Sequence, residues 1–229
     1  MLTQAAKAEV ELTVAPQVLA QLPLRNHVVT GDALYCQRKL CRQIRQQGGH
    51  YLFTVKENQP RLYADIALLF EWPAPGETFA EAEQRDQHGD RQEVRHLWAS
   101  TALDGYLDWP GLQQVCRIER TVRRCGKVTR EVRYGITSLG PQVGPARLLR
   151  LWRGHWGIEN RLHYVRDVTF GEDASPVRTG AAPQVLAVLR NLVLALLRNA
   201  GSTNIAAALR EHAWSQPGAA LRLLGIALV

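Results

Sequence analysis

The spacing of apolar positions changes period several times along the chain, and each change marks an element. Met1–Val10 carries no clear pattern, and Ala15–Leu24 (APQVLAQLPL) predicts a short helix with Pro16 in its first turn and Pro23 closing it. His27–Ala33 (HVVTGDA) is a brief β-branched run ending in Gly-Asp, which predicts a strand entering a loop. In Leu34–Gln47 the apolar stripe Cys36, Leu40 and Ile44 is surrounded by arginine, lysine and glutamine, and Gly48-Gly49 stops the helix. Tyr51–Lys56 (YLFTVK) is a near-continuous apolar strand. Strand, helix, strand with short loops is a βαβ unit, so the two strands should be parallel with a right-handed crossover.

Asp32 then falls at the carboxyl end of a strand, where open α/β sheets place their chemistry, and Lys56, Glu57, Asn58 and Gln59 leave the neighbouring strand at the same edge. Asp32 is equally suited to capping a helix, and the two uses are compatible. After a helix at about Arg61–Phe70, Pro73, Pro75 and Gly76 mark a boundary. From Thr78 to Leu139 the pattern alternates, with strands at Arg91–Ala99, Val115–Arg124 and Val128–Ser138. The last two join at Cys125-Gly126-Lys127 as a hairpin. Arg117, Arg120, Arg123, Arg124, Lys127, Arg130 and Arg133 cluster there; such a ribbon is either a solvated charged hairpin or a surface for phosphates.

A further helix begins near Ala146, and in WRGHWGIENRLHYVR (Trp152–Arg166) His155, Glu159 and His163 recur every fourth residue on one face. Glu159 is either the salt-bridged acid of an amphipathic helix or a group that holds a cation; with the two histidines it could also take zinc. Trp152 and Trp156 suit core packing or base stacking. Glu172 and Asp173 follow in an acidic turn, as further carboxylates or as a solvated loop. Gln184–Arg198 predicts a buried core helix, Ser202 or Thr203 caps a helix reaching Trp214, and Pro217–Leu224 a last short helix.

Composition narrows the class. At 229 residues the chain can bury a real core, as one large domain or one domain with an insertion. Lys plus Arg number 28 against 21 for Asp plus Glu, a net charge of +7 with pI near 9.6, which favours an acidic partner such as nucleic acid. Cys36, Cys41, Cys116 and Cys125 form no C-x-x-C pair and read as reduced thiols. The longest apolar run, Val185–Leu197, is interrupted by Arg190 and Asn191 and is too short to span a bilayer.

Three blocks in order, GDALYCQ, GGHYLFTVKENQP and HWGIENRLHYVRDVTFGEDAS, resemble the insertion-sequence DDE transposases that include the H-repeat-associated proteins. Those enzymes carry Tyr-x2-Arg-x3-Glu-x6-Lys on their last catalytic helix; Trp152, His155, Glu159 and Arg166 stand at that spacing here. The resemblance covers nearly the whole chain. It implies an α/β, RNase H-like core, partial in this chain, with a β-rich insertion before the catalytic helix and a helical C-terminus. The expected division is 1–70 for the first part of the core, 71–145 for the insertion and 146–229 for the rest.

By the same resemblance Asp32 and Glu159 would be the second and third of three catalytic, metal-binding carboxylates. They would hold two Mg²⁺ or Mn²⁺ ions for cutting donor DNA and joining its 3′-hydroxyl to a target. Trp152, His155, Arg166, Lys56, Asn58, Arg123, Arg124 and Lys127 are the expected DNA contacts, although Asn58 and Gln59 suit loop capping as well. Double-stranded DNA is the implied partner and the cytoplasm, at the nucleoid, the implied location, with no membrane. The family's first Asp, usually followed by Gly-Lys, has no counterpart here: before Asp32 the only acids are Glu9 and Glu11. The chain therefore reads as an N-terminally truncated copy, inactive alone, with an exposed sheet edge completed by a second copy or a missing N-terminal fragment. A non-catalytic DNA-binding remnant that competes with an intact relative is the alternative.

Overall fold

A computed structural model describes residues 4–158 and 164–215, together with 218 and 222. They comprise one six-stranded sheet and several helices, and the chain divides into two compact units, Met1–His155, which holds the whole sheet, and Trp156–Val229. None of the described helices is long and apolar enough to cross a membrane.

The first unit opens with α1 (Gln4–Ala20), which begins well before the apolar run that predicts it. Pro16 thus lies inside the helix, not in its first turn; its carbonyl accepts a hydrogen bond from Gln43 Nε2 at 2.7 Å, tying α1 to the next helix. The βαβ unit is present as expected: β1 (Val28–Gly31), α2 (Arg38–Gln46) and β2 (His50–Val55). β1 and β2 pair in parallel, Val28 opposite His50 and Gly31 opposite Phe53. α2 buries Leu40, Cys41 and Ile44, whereas Cys36, also fully buried, precedes the helix and follows a separate 3-10 turn at Ala33–Tyr35. Such a turn lets Asp32 cap its start before the α-helix begins.

After α3 (Pro60–Glu71) come four antiparallel strands, β3 (Ala80–His88), β4 (Arg91–Ser100), β5 (Gln114–Arg124) and β6 (Lys127–Thr137). Cys125 and Gly126 both have positive φ, 47° and 72°, the paired left-handed residues that a two-residue hairpin turn requires. The strand order is β1-β2-β6-β5-β4-β3, and β6 runs antiparallel to β2 with Tyr134 opposite Val55. The four antiparallel strands therefore continue the sheet begun by β1 and β2, and β1 is an edge strand of the described sheet.

The two faces of this sheet carry different helices. Tyr51, Phe53 and Val55 meet Leu40 and Ile44 of α2 and Leu62 and Ile66 of α3 in the main core. The opposite face, with Thr30, Leu52 and Thr54, meets Trp152 and His155 of α4 (Pro145–Ile158), which starts where expected.

In the second unit Tyr164 is helical and Val165–Thr169 is a π-helical turn, followed by α5 (Ala182–Asn199) and α6 (Ile205–Arg210). Two expectations are corrected here. The cap of α6 is Asn204, whose side chain accepts from the Ala207 N–H at 3.0 Å, rather than Ser202 or Thr203. α5 is not buried all round: Leu194 and Leu197 pack with Val165, Ile205 and Ala208, while Val185, Val188, Leu189 and Leu192 are each at least half exposed. Residues 217–224, expected as a last helix, lie almost wholly outside the described residues.

Candidate active site

Parallel pairing brings the carboxyl ends of β1 and β2 side by side, so Asp32 and the loop residues Lys56 to Asn58 border one cleft of about 620 Å³. Asp32 is exposed, and its Oδ1 accepts a hydrogen bond from the Leu34 N–H at 3.0 Å, capping the 3-10 turn. Lys56 is exposed at the rim. Asn58 and Gln59 take the loop-capping role: Asn58 Nδ2 donates to the Ala33 carbonyl at 2.7 Å and Gln59 Nε2 to the Cys36 carbonyl at 3.0 Å. Tyr63, Glu131 and Arg133 also line the cleft, and sequence reasoning did not place them there. Arg133 stood among the hairpin arginines, but β6 pairs with β2, Tyr134 opposite Val55, and Arg133 thereby lines the same cleft as Asp32.

The basic hairpin is less positive than its sequence. Glu93 is buried and receives Arg91 at 2.9 Å together with Arg95 and Arg120. Burial opposes ionisation of Glu93, yet the Arg120 hydrogen bond and the charges of Arg95, Arg120 and Arg91 outweigh it and hold its carboxyl below the ordinary range. Glu119 pairs with Arg117 and Arg130, and Glu131 with Arg133. Arg123, Arg124 and Lys127 remain exposed at the tip, Arg124 standing 3.9 Å from Asp90. Lys127 is six residues along β6 from Arg133, so the tip lies about 20 Å from the Asp32 cleft.

Trp152 is only 5% exposed, its ring packed under Gly135 of β6. That is the core-packing alternative, and a ring so buried offers no face for a base to stack on. His155 sits one turn further along α4, beside Thr30 and Thr54. Arg166, expected on DNA, is instead engaged by Glu172 through Nε at 2.6 Å and a second nitrogen. That hydrogen bond raises the Arg166 pKa and lowers that of Glu172, so Glu172 is an ion-paired residue rather than a freely solvated one. Glu159 and His163 lie outside the described residues, and with them the candidate zinc face.

The cysteines offer no metal site or nucleophile. Burial pushes the Cys41 and Cys116 thiols up to about 12 and Cys36 higher, and Trp109 Nε1–H donates to Cys41 Sγ. Cys125 is exposed, but donates to Asp90 Oδ2 at 2.9 Å, which raises its pKa too. Among the described residues no three His, Cys, Asp or Glu side chains cluster as a metal cage. Asp32, an exposed carboxylate with one oxygen fixed by a backbone N–H, offers the kind of donor a hard divalent cation takes, and the Glu57 and Glu131 carboxylates line the same cleft.

The family model described as a transposase DDE domain matches residues 3–196. The chain belongs to this family. The transposase domain is similar to YbfL of Escherichia coli K12, with 31% identity over 201 residues, 82% of this chain and 52% of the relative. From the same strain, "H repeat-associated putative transposase YhhI" is 30% identical over the same shares, and "Putative transposase YncI" of E. coli O157:H7 is 29% identical over 82% of this chain and 50% of the relative. The chain thus spans about half the length of the curated relatives it matches.

Proposed function

We propose that this transposase domain contributes Asp32 and Glu159 to a metal-dependent centre that cuts and joins DNA strands. The observation that carries the reading is Asp32 exposed at the carboxyl end of β1, beside Lys56, in a chain of the DDE family. Divalent Mg²⁺ or Mn²⁺, bound by carboxylates, would polarise the scissile phosphate and lower the pKa of the attacking oxygen. Asp32 and Glu159 would hold it as oxygen ligands, with Lys56 at the rim neutralising a phosphate of the bound strand. In the first displacement a water oxygen bonds to phosphorus as the P–O3′ bond breaks, leaving a 5′-phosphate and a 3′-hydroxyl. That hydroxyl then attacks a target phosphodiester and a target 3′-oxygen leaves. Glu9 and Glu11 lie on α1 rather than on a strand, and Glu11 accepts from the Tyr35 hydroxyl at 3.3 Å. We therefore assign the first carboxylate to a strand added beside β1, the edge strand among the described residues, and expect these residues alone to bind DNA without efficient cleavage.

The test is cleavage and binding of element-end duplexes by the chain, alone and completed with the upstream half of a relative, in Mg²⁺ or Mn²⁺. Cleavage that requires completion and is abolished by Asp32→Asn and by Glu159→Gln supports the proposal; cleavage indifferent to both substitutions refutes it. A second reading, a DNA-binding remnant that occupies the ends of an intact relative, draws on the exposed Arg123, Arg124 and Lys127. It predicts salt-sensitive binding with no cleavage even after completion.

A further inference from the structure

The turn that presents Asp32 is gripped by three carboxamides. Asn58 Nδ2 donates to the Ala33 carbonyl at 2.7 Å, Gln37 Nε2 to the Leu34 carbonyl at 3.3 Å, and Gln59 Nε2 to the Cys36 carbonyl at 3.0 Å. Gln59 Nε2 also reaches Gln37 Oε1 at 3.5 Å. Inside the turn the Cys36 N–H closes on the Ala33 carbonyl at 3.2 Å, and the Leu34 N–H holds Asp32 Oδ1. The carboxylate is oriented by the Leu34 amide, the amide by the turn, and the turn by side chains arriving from the far end of β2. All three contacts are partly buried, and Asn58 and Gln59 stand 25 and 23 residues from the carbonyls they hold.

The geometry points to Asn58 and Gln59 as positioning residues that set the orientation in which Asp32 takes a divalent cation. This rests on the metal-binding reading of Asp32 proposed above. Groups one layer behind a metal ligand fix its orientation and are commonly worth a factor of ten or more in affinity. A carboxamide suits the task here because it donates to the Ala33 carbonyl while adding no charge beside the cation. An Asp at position 58 would set an acceptor against an acceptor.

Mn²⁺ binding to the full 229-residue chain, followed by electron paramagnetic resonance, tests this together with amide hydrogen exchange at Leu34. Asn58→Ala is expected to weaken Mn²⁺ about tenfold and to speed Leu34 exchange. In the Asp32→Asn background it should bring no further loss of Mn²⁺, because its effect travels through Asp32. Gln59→Ala should give the same pattern with smaller shifts, and serves if Asn58→Ala fails to fold. Mn²⁺ affinity unchanged by Asn58→Ala where Asp32→Asn reduces it overturns the inference alone. An equal loss in both backgrounds also overturns it, as a general destabilisation. Should Asp32→Asn bind Mn²⁺ as tightly as the wild type, the metal reading falls and this inference with it, whatever Leu34 exchange shows.

Discussion

Gly135→Ala should destabilise the first unit by forcing α4 off the sheet. A Cβ built at Gly135 would lie 2.3 Å from Cη2 and Cζ3 of Trp152 and 3.0 Å from the Phe53 carbonyl oxygen. Carbon atoms rest at about 3.5–4.0 Å, so the indole must retreat by more than about 1 Å. The strand cannot yield instead, because Gly135 is paired on both sides, with Thr54 of β2 and Cys116 of β5. Overpacking of this kind costs about 1–3 kcal/mol, and the short contact to a ring that is only 5% exposed puts the expectation near the upper end. Trp152→Leu leaves a cavity and should cost about 3 kcal/mol by itself. In the double variant the new methyl group enters space the indole has vacated, so the combined loss should fall short of the sum by at least about 1 kcal/mol. Urea unfolding of the four proteins, followed by far-ultraviolet circular dichroism, measures the coupling. Additivity within about 0.5 kcal/mol would refute the packing described here.

Glu93 is more readily ionised in the folded chain than in the unfolded one, so its contribution is complete above about pH 4.3 and is lost as pH falls through its lowered folded value. Glu93→Gln should cost about 1–2 kcal/mol at neutral pH by removing the carboxylate that Arg91, Arg95 and Arg120 share, a loss softened because Arg95 keeps Asp86 and the other two arginines reach solvent. It should also flatten the acid limb of the stability profile below about pH 4, read by urea midpoints across pH. If Arg123, Arg124 and Lys127 meet phosphates, each alanine substitution should reduce the slope of log K against log salt by about 1 in fluorescence anisotropy titrations, and three unchanged slopes would remove the hairpin tip from the interface. Arg166→Ala should leave that slope unchanged because Glu172 already holds the guanidinium, whereas Glu172→Ala should release it and steepen the slope by up to about 1.

What the chain states locally, the fold obeys. The β-branched run before Asp32, the apolar run after Gly49 and the Cys125-Gly126 turn each act within a few residues, and β1, β2 and the β5–β6 hairpin form where they stand. Partners distant in sequence are what the pattern withholds. Glu93 meets Arg120 across 27 residues, and Asp86 takes Arg153 of α4 at 3.1 Å from 67 positions away. A count of arginines therefore overstated the positive ribbon. The α5 expectation failed for a related reason: apolar content tells how greasy a helix is, not which face its neighbours cover, so Leu194 and Leu197 are buried while Val188 is 60% exposed. At α6 the competing caps Ser202, Thr203 and Asn204 are all favoured types, and only the backbone, extended at Asn204, decides among them.

Under the proposed metal role, Asp32 satisfies a local rule and a distant purpose together. Its capping bond uses Oδ1 alone, and Oδ2 stands outside that bond, so the carboxylate that starts the 3-10 turn can still ligate a cation. The local rule is legible in the order Gly-Asp-Ala-Leu. The proposed metal role depends on Asn58 reaching across from the loop after β2, and that reach exists only because β1 and β2 are parallel and end together. A one-residue slip in that register would carry Asn58 away from Ala33 by about 3.3 Å and turn β2's inward residues outward. The precision of the cleft therefore rests on the packing of Tyr51, Phe53 and Val55 against α2 and α3, several residues removed from the acid whose position it fixes.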